Sequence, residues 1–265
     1  MRPLHINAET ADFEGNDGRG RFLLLPGSAS RARSIAERFT NRRVREHHRG
    51  HDLHLGTLER AGQTLDVGVI SSGMGCPSVD LIATELIGLG AKVLLRVGTS
   101  GALQHHVHTG DVVVATAAVR DQGTSDHYLP REFPAVASFS LVNACYQASQ
   151  TAPLRGSAHF GVVHTKDSLY AREMLFGPKA AENEAYTRLL EKGGILASEM
   201  ECAHLFVLGQ LGPIAKGECP VVTGAILAVI GEHDEPFVDS PRAGEAIEDA
   251  IELAFDSFAQ LAQGR

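Results

Sequence analysis

Short apolar runs rich in β-branched residues alternate along the chain with longer stretches of helical periodicity. This is the pattern of an α/β fold, in which amphipathic helices cover the faces of a sheet. The runs Arg21 to Pro26, Leu65 to Ser71, Lys92 to Gly98, Asp111 to Val119, Phe160 to Thr165 and Val221 to Ile230 read as strands. Helices are expected over Ser30 to Phe39, Ser78 to Leu89, Phe139 to Gln150, Glu182 to Lys192, Met200 to Leu211 and Pro241 to Ala262. The last carries Ala246, Ile247, Ala250, Ile251, Ala254, Phe255 and Phe258 at helical spacing, so it is expected to pack on the sheet as the closing element.

Three stretches follow neither period. Ala8 to Arg19 is polar and Gly-rich and reads as a flexible lead-in. Gly123 to Pro134 and Ala171 to Ala181 are irregular, and long irregular segments inside an α/β domain are expected to face substrate. No internal repeat or linker interrupts the rest, which gives a lead-in over residues 1–20 and one catalytic domain over residues 21–265.

With 265 residues, 43% of them hydrophobic, the chain has enough apolar surface for one large core. Its formal net charge of -8 argues against a polyanion-binding surface, so nucleic acid is not an expected partner and an anionic substrate needs a local basic pocket. Cys76, Cys145, Cys202 and Cys219 form no CxxC pair and sit in or beside apolar runs, as reduced buried thiols do in a cytoplasmic protein. There is no signal-like amino terminus and no apolar run near the ~20 residues of a membrane helix, so neither secretion nor a membrane is expected.

Four segments carry candidate chemistry. In Leu25-Pro26-Gly27-Ser28-Ala29-Ser30-Arg31 a strand ends in a Pro-Gly turn and a helix begins, so backbone N–H groups and the Arg31 fork can meet an anion. Taken alone it reads first as an ordinary strand-to-helix turn with a solvated Arg. In Leu94-Leu95-Arg96-Val97-Gly98-Thr99-Ser100-Gly101 an Arg interrupts an apolar strand and requires an anionic partner, either a bound anion or an internal carboxylate. Ser71-Ser72-Gly73-Met74-Gly75-Cys76-Pro77-Ser78 has a Gly-x-Gly step but lacks the third glycine and distal acid of a dinucleotide site, so it reads as a tight turn near the active site or a subunit contact. Ser198-Glu199-Met200-Glu201-Cys202-Ala203 places two carboxylates at a helix start, where they are either capping charges or, beside a pocket, acceptors for sugar hydroxyls. The His47-His48 and His105-His106 runs come with no metal-ligand motif, so no metal is expected.

In this order and spacing, these segments resemble the nucleoside phosphorylase-I family, and within it the uridine phosphorylases, from about Arg21 to Ala262. The most specific part runs from Ser71 through Gly101 and Gly110-Asp111 to Arg120, Gly123 and Ser125, followed by Glu199-Met200-Glu201. The resemblance implies a three-layer α/β/α fold with a central mixed, partly barrel-like sheet. It implies phosphate-dependent cleavage of a nucleoside, uridine or a related pyrimidine nucleoside, to free base and (deoxy)ribose 1-phosphate, with inorganic phosphate as co-substrate and no cofactor. Gly27, Arg31, Arg96 and Thr99 would hold phosphate, together with Arg49 from a neighbouring subunit. Thr99, Met200 and Glu201 would hold the nucleoside, with Arg96 and Glu201 as the catalytic pair. A homodimer, assembled further into a hexamer, follows from the shared site. His5 resembles the histidine that reaches across the dimer to the 5'-hydroxyl, although its spacing to Gly27 is longer, and a solvated His stands as the equal alternative.

The base-reading stretch departs from the pattern. Leu169 stands where the family has an aromatic, and neither Arg172 nor Glu173 reproduces the Gln and Arg that read uracil, so loose discrimination is expected. Purine enzymes of the family place a catalytic Asp where this chain has Gly231, with Glu232 and Asp234 beside it reading as loop charges. The alternatives are a purine nucleoside phosphorylase, a nucleosidase, or a nucleoside-binding relative with an altered base site.

Overall fold

In the computed structural model, which describes residues 2–212, 220–233 and 240–264, all six apolar runs are strands and all six amphipathic stretches are helices. The chain order is β1 (Phe22–Pro26), α1 (Ala29–Ala36), β2 (Thr40–Arg45), β3 (Leu53–Arg60), β4 (Gln63–Val69), α2 (Cys76–Gly88), β5 (Val93–Ala102), β6 (Val112–Asp121) and β7 (Ala135–Val136). It continues with α3 (Phe139–Ser149), β8 (Ala158–Lys166), α4 (Leu169–Arg172), α5 (Ala180–Lys192), β9 (Ala197–Glu199), α6 (Cys202–Leu211), β10 (Val222–Gly231) and α7 (Pro241–Gln263).

The strands join in one mixed sheet in the order β10-β6-β8-β9-β5-β1-β4-β3-β2, and β10 pairs β5 as well. That extra pairing closes β5, β10, β6, β8 and β9 into a small barrel, from which β1, β4, β3 and β2 extend as an open wing. Closure is possible because β5 is long: its first half pairs β1 from Val93 to Val97, and its last residues, Gly101 and Ala102, pair β9 on the same side. The Gly-Thr-Ser-Gly segment, read from sequence as lying beyond the strand, is therefore part of β5.

Alternation along β1 shows how the layers form. Leu23 and Leu25 point into the core under α2 and α6, while Phe22 and Leu24 point into the core under α1, α3 and α7. Phe22 meets Phe258 of α7 at a ring separation of 5.1 Å, and Phe39 meets Phe255 at 6.3 Å. The apolar stripe of α7 does close the sheet: Ala246, Ala250, Ile251, Ala254, Phe255 and Phe258 are all buried.

Two parts differ from the sequence reading. The polar stretch from Ala8 to Arg19 is not a loose lead-in: it makes two short 3-10 turns with Phe13 and Asp12 buried. Its polar groups are anchors, Asp12 pairing with Arg43 at 3.1 Å and Arg45 at 3.2 Å while its carbonyl accepts from Arg21 at 2.7 Å. The hairpin of β2 and β3 also went unread, because β2, with sequence TNRRVR, is exposed along nearly its whole length and carries no apolar alternation. Cys76, Cys145 and Cys202 are free, buried thiols, and Cys219 lies outside the described residues.

Candidate active site

Arg96 is the charged residue that the apolar strand demanded a partner for. It sits in the middle of β5, 4% exposed, and its Nη2 bonds Glu201 while Nη1 donates to Ser72 Oγ at 3.3 Å. Its Nε lies 3.7 Å from Glu199 without a hydrogen-bond partner. The guanidinium folds back over Gly98, where an added Cβ would come within 2.9 Å of both Nε and Nη2. Glycine two residues on is thus a steric condition for the position of the fork. Of the two partners that the sequence allowed Arg96, the structure shows the internal carboxylates, Glu201 and Glu199.

Glu201 is the N-cap residue of α6, and its Oε1 accepts from the Gly75 N–H at 2.7 Å. Gly75 adopts a φ of 80°, which favours glycine, and the turn that begins α2 is thereby fastened to Glu201. Burial drives the Glu201 carboxyl above the ordinary carboxylate range, against the opposing pull of Arg96. Burial also acts to lower Arg96, but Glu201 and Glu199 outweigh it and its pKa rises.

Glu199 has a different task, which sequence could not separate from that of Glu201. Its carboxylate accepts from the backbone N–H of Glu201 at 2.7 Å and of Cys202 at 3.0 Å, and from the Thr165 hydroxyl. It is the anion that satisfies the amino terminus of α6. Met200, between the two, is only partly buried.

Arg31 stands on the first turn of α1, capped by Ser28, with its Nη1 3.5 Å from the Val97 carbonyl of β5. Burial and then the positive charge of Arg96 lower its pKa, so two guanidiniums share one neighbourhood. An anion between them relieves that repulsion. Gly27 lies at the start of the same turn, where its carbonyl accepts from Ser71 Oγ at 3.2 Å, and Thr99 lies three residues beyond Arg96 on β5, partly exposed. Contacts thus link Arg31, Arg96 and Glu201 across β5 and the start of α6, with Gly27, Thr99 and Met200 close to them along the chain.

Two predicted residues lie elsewhere. Arg49 is exposed at the tip of the β2–β3 hairpin, in a turn closed by Gly50 N–H to the His47 carbonyl at 2.8 Å, and its guanidinium has no partner among the described residues. His5 is not a solvated terminal side chain. Its Nδ1 is 2.8 Å from Glu85 of α2, and the same carboxylate accepts from the backbone N–H groups of Leu4, His5 and Ile6.

In the base-reading stretch, Leu169 opens α4 behind the Ser168 cap and is partly buried. Arg172 bonds Asp121 through Nε at 2.7 Å and Nη2 at 2.9 Å, bonds Asn183 at 2.7 Å, and lies 4.4 Å from the Tyr186 ring centroid. Glu173 instead meets Lys166 at 2.5 Å. The segment from Gly123 to Pro134 is organised by Arg120, which donates to the carbonyls of Pro130, Phe133 and Leu129. Glu232 accepts from the Thr109 N–H at 2.8 Å and lies 3.4 Å from His108 Nδ1, as a loop anchor does, while Asp234 falls outside the described residues. Ser72, Gly75 and Ser198 lie in segments that the sequence singled out, but their partners, Arg96, Glu201 and Lys166, come from other elements and leave no local motif.

A family model described as the phosphorylase superfamily matches residues 21–260. A uridine phosphorylase of Treponema pallidum (strain Nichols) is 37% identical over 230 residues, 86% of this chain and 82% of that protein. A uridine phosphorylase of Haemophilus influenzae is 33% identical over 211 residues, covering 77% and 79%. A guanosine phosphorylase of Halorubrum lacusprofundi is 27% identical over 258 residues, covering 97% and 98%. Among solved structures, a uridine phosphorylase from Vibrio fischeri ES114, complexed with 6-hydroxy-1-naphthoic acid, superposes with a TM-score of 0.76 at 24% identity, covering 98% of this chain and 97% of that one. The three-layer fold with its partly barrel-like sheet is thus shared with it.

Proposed function

The chain belongs to the phosphorylase superfamily, and from that premise we propose that it cleaves the N-glycosidic bond of uridine or a related pyrimidine nucleoside with inorganic phosphate, releasing base and ribose 1-phosphate. The observation that carries this is the buried contact between Arg96 and Glu201, with Arg31 alongside. Phosphate attacks C1', the carbon next to the one bearing the 2'-hydroxyl, so a phosphate clamp and a hydroxyl acceptor must stand side by side.

As the base leaves, positive charge develops on the sugar ring. Phosphate held by Arg31 and Arg96 on the opposite face stabilises it and then bonds to C1'. Glu201 accepts from the 2'-hydroxyl and fixes the ring, while Thr99 and Met200 border the nucleoside. No step requires a metal or organic cofactor. Arg49, exposed on its hairpin, completes the clamp of a second copy, so the working unit is a homodimer that assembles further into a hexamer. Retention of Arg31, Arg49 and Arg96 favours phosphate over water as the nucleophile. The engagement of Glu232 by Thr109 and His108 disfavours it as a proton donor to a purine.

Among the described residues no helix is long and apolar enough to cross a membrane, and the reading places the enzyme in the cytoplasm. The test is incubation with uridine, thymidine, inosine, adenosine and methylthioadenosine, with and without phosphate, followed by product separation. Base release from uridine that depends on phosphate supports the reading, and phosphate-independent release or none overturns it.

A further inference from the structure

The seam between α2 and α6 holds a buried histidine that the proposed reaction leaves unused. At one end of the seam, the Gly75 N–H donates to Glu201 Oε1 at 2.7 Å and the Cys76 thiol donates to the Met200 carbonyl at 3.3 Å. One turn further along each helix, His204 of α6 brings Nε2 within 2.9 Å of Asp80 Oδ1 of α2. The same oxygen accepts from the Tyr128 hydroxyl at 2.6 Å, and the Tyr128 ring stands edge-on to the imidazole with 5.3 Å between centroids. Tyr128 belongs to the segment that Arg120 organises through the carbonyls of Leu129, Pro130 and Phe133. One carboxylate oxygen thus clasps α2, α6 and that segment together.

The geometry fixes which form of the imidazole the clasp needs. His204 is wholly buried, and its Nδ1 has no hydrogen-bond partner. A carboxylate only accepts, so Nε2 carries the proton and Nδ1 keeps a bare lone pair. A second proton would put a charge and an unanswered N–H in the seam, which costs more than an unanswered lone pair. The charged groups around the ring are Asp80 of α2, which draws that proton, and Arg120 of β6, which repels it. The Tyr128 hydroxyl and the Cys76 thiol, both held protonated by burial, are neutral. Burial, helped by Arg120, outweighs Asp80, so His204 titrates below the ordinary histidine value.

We propose that His204 and Asp80 are positioning residues for Glu201. In its neutral form His204 locks α6 against α2 and holds the Glu201 carboxylate at the Gly75 N–H; without the lock, the first turn of α6 shifts and carries Glu201 with it. This rests on the phosphorolysis reading above, in which Glu201 accepts from the 2'-hydroxyl. His204 stands three residues after Glu201, the residue that caps the same helix, so a displacement at one end of the turn is passed to the other. Phosphorolysis is therefore limited on the acid side by a proton on His204. The lock is complete above the ordinary histidine pKa of about 6.5 and is lost as pH falls through the lower folded value.

The experiment measures kcat/KM for uridine at saturating phosphate from about pH 5 to 8 in the wild type, His204→Gln, His204→Leu and Asp80→Ala, with circular dichroism as the fold control. Glutamine keeps a donor at the Nε2 position and does not titrate, so His204→Gln should stay within about threefold of wild type near pH 8 and lose the acid decline. His204→Leu and Asp80→Ala should each fall by ~10-fold or more, and the double variant should fall no further than either. Should His204→Leu fail to fold, Asp80→Ala, at a partly exposed position, carries the same test. Equal loss in His204→Gln and His204→Leu, wild-type activity in Asp80→Ala, or an acid decline of the same shape in wild type and His204→Gln overturns the proposal. If the wild type releases no base with phosphate, the phosphorolysis reading fails instead, and exchange of the Gly75 amide, which needs no substrate, decides the clasp separately. That exchange should quicken by at least ~10-fold in Asp80→Ala relative to His204→Gln at the same pH, and equal rates overturn the clasp.

Discussion

Removing the Arg96 guanidinium has two consequences that can be measured apart. In Arg96→Ala the carboxylates of Glu201 and Glu199, both nearly inaccessible, lose their counter-ion. Breaking one side of a buried pair costs about 3–5 kcal/mol, and protonation of Glu201, which burial already favours, relieves part of it. At about 2–4 °C per kcal/mol for a chain of this size, Tm should fall by roughly 5–15 °C. Activity should fall by at least ~100-fold, with a raised KM for phosphate, because a clamp on a charged reactant supplies a few kcal/mol. Arg96→Met combined with Glu201→Leu replaces that pair with apolar groups but leaves buried Glu199 without its counter-ion, so it should recover part of the lost stability while recovering no phosphorolysis. Arg96→Lys keeps the charge but loses the fork, so it should stay folded and remain ~10-fold or more impaired. The assays are thermal denaturation followed by circular dichroism and uridine phosphorolysis across a phosphate series. An Arg96→Ala enzyme within a few-fold of wild type at limiting phosphate would refute the clamp, whatever its Tm.

Gly98→Ala places a Cβ within 2.9 Å of the Arg96 fork and of Leu227, and phosphate-limited kcat/KM should drop on the order of 10- to 100-fold through displacement of the fork alone; unchanged kinetics would show that the fork has room to move. Mixing inactive Arg49→Ala and inactive Glu201→Ala subunits should restore partial activity, because hybrid dimers contain one site with both residues, and no recovery despite proven subunit exchange counts against sharing. With Gly231 in the position of a purine-protonating acid and Glu232 occupied, inosine should be turned over more slowly than uridine at saturating phosphate, and a clear inosine preference sinks the pyrimidine assignment. Burial acts to raise Glu85, but hydrogen bonds from His5, Leu4 and Ile6 outweigh it and hold its carboxyl below the usual range. The anchoring of residues 4–6 should therefore be complete above the ordinary carboxylate pKa of about 4.3 and be lost as pH falls through the lower folded value. Amide exchange at these three residues that stays flat across that window would contradict it.

What the sequence disclosed of the fold follows from how each element is buried. β1, β5 and β10 are apolar on both faces because both faces meet helices, so their runs stand out without any partner being known. β2 escaped notice for the opposite reason: it lies at the edge of the open wing with arginines along it, and only its ladder to β3 makes it a strand. β9 is too short at three residues for any period, yet it bridges β5 and β8. The pairing of β10 with β5, which turns a sheet into a barrel, has no local signature at all and was accessible only through resemblance.

The same division runs through the site. Arg96 was legible because a charge in an apolar strand violates the pattern around it, and such violations mark function or a compensating partner. Glu199 and Glu201 looked equivalent in the chain, and their roles separate only where β9 ends and α6 begins just after them: Glu199 turns to the backbone N–H groups of residues 201 and 202, leaving Glu201 to face Arg96. Lys166 and Ser198 gave no signal because their meeting depends on the register of β8 against β9, in which His164 stands opposite Ser198. Local chemistry is thus readable where it conflicts with its own segment, and unreadable where two ordinary segments become a site by lying side by side. A substitution at Ser198 tests that consequence: Ser198→Ala removes the acceptor of the buried Lys166 ammonium, and it should lower Tm by roughly 3–10 °C while leaving the KM for phosphate unchanged. Loss of phosphate affinity as well would instead mean that Ser198 supports β9 and the whole site with it.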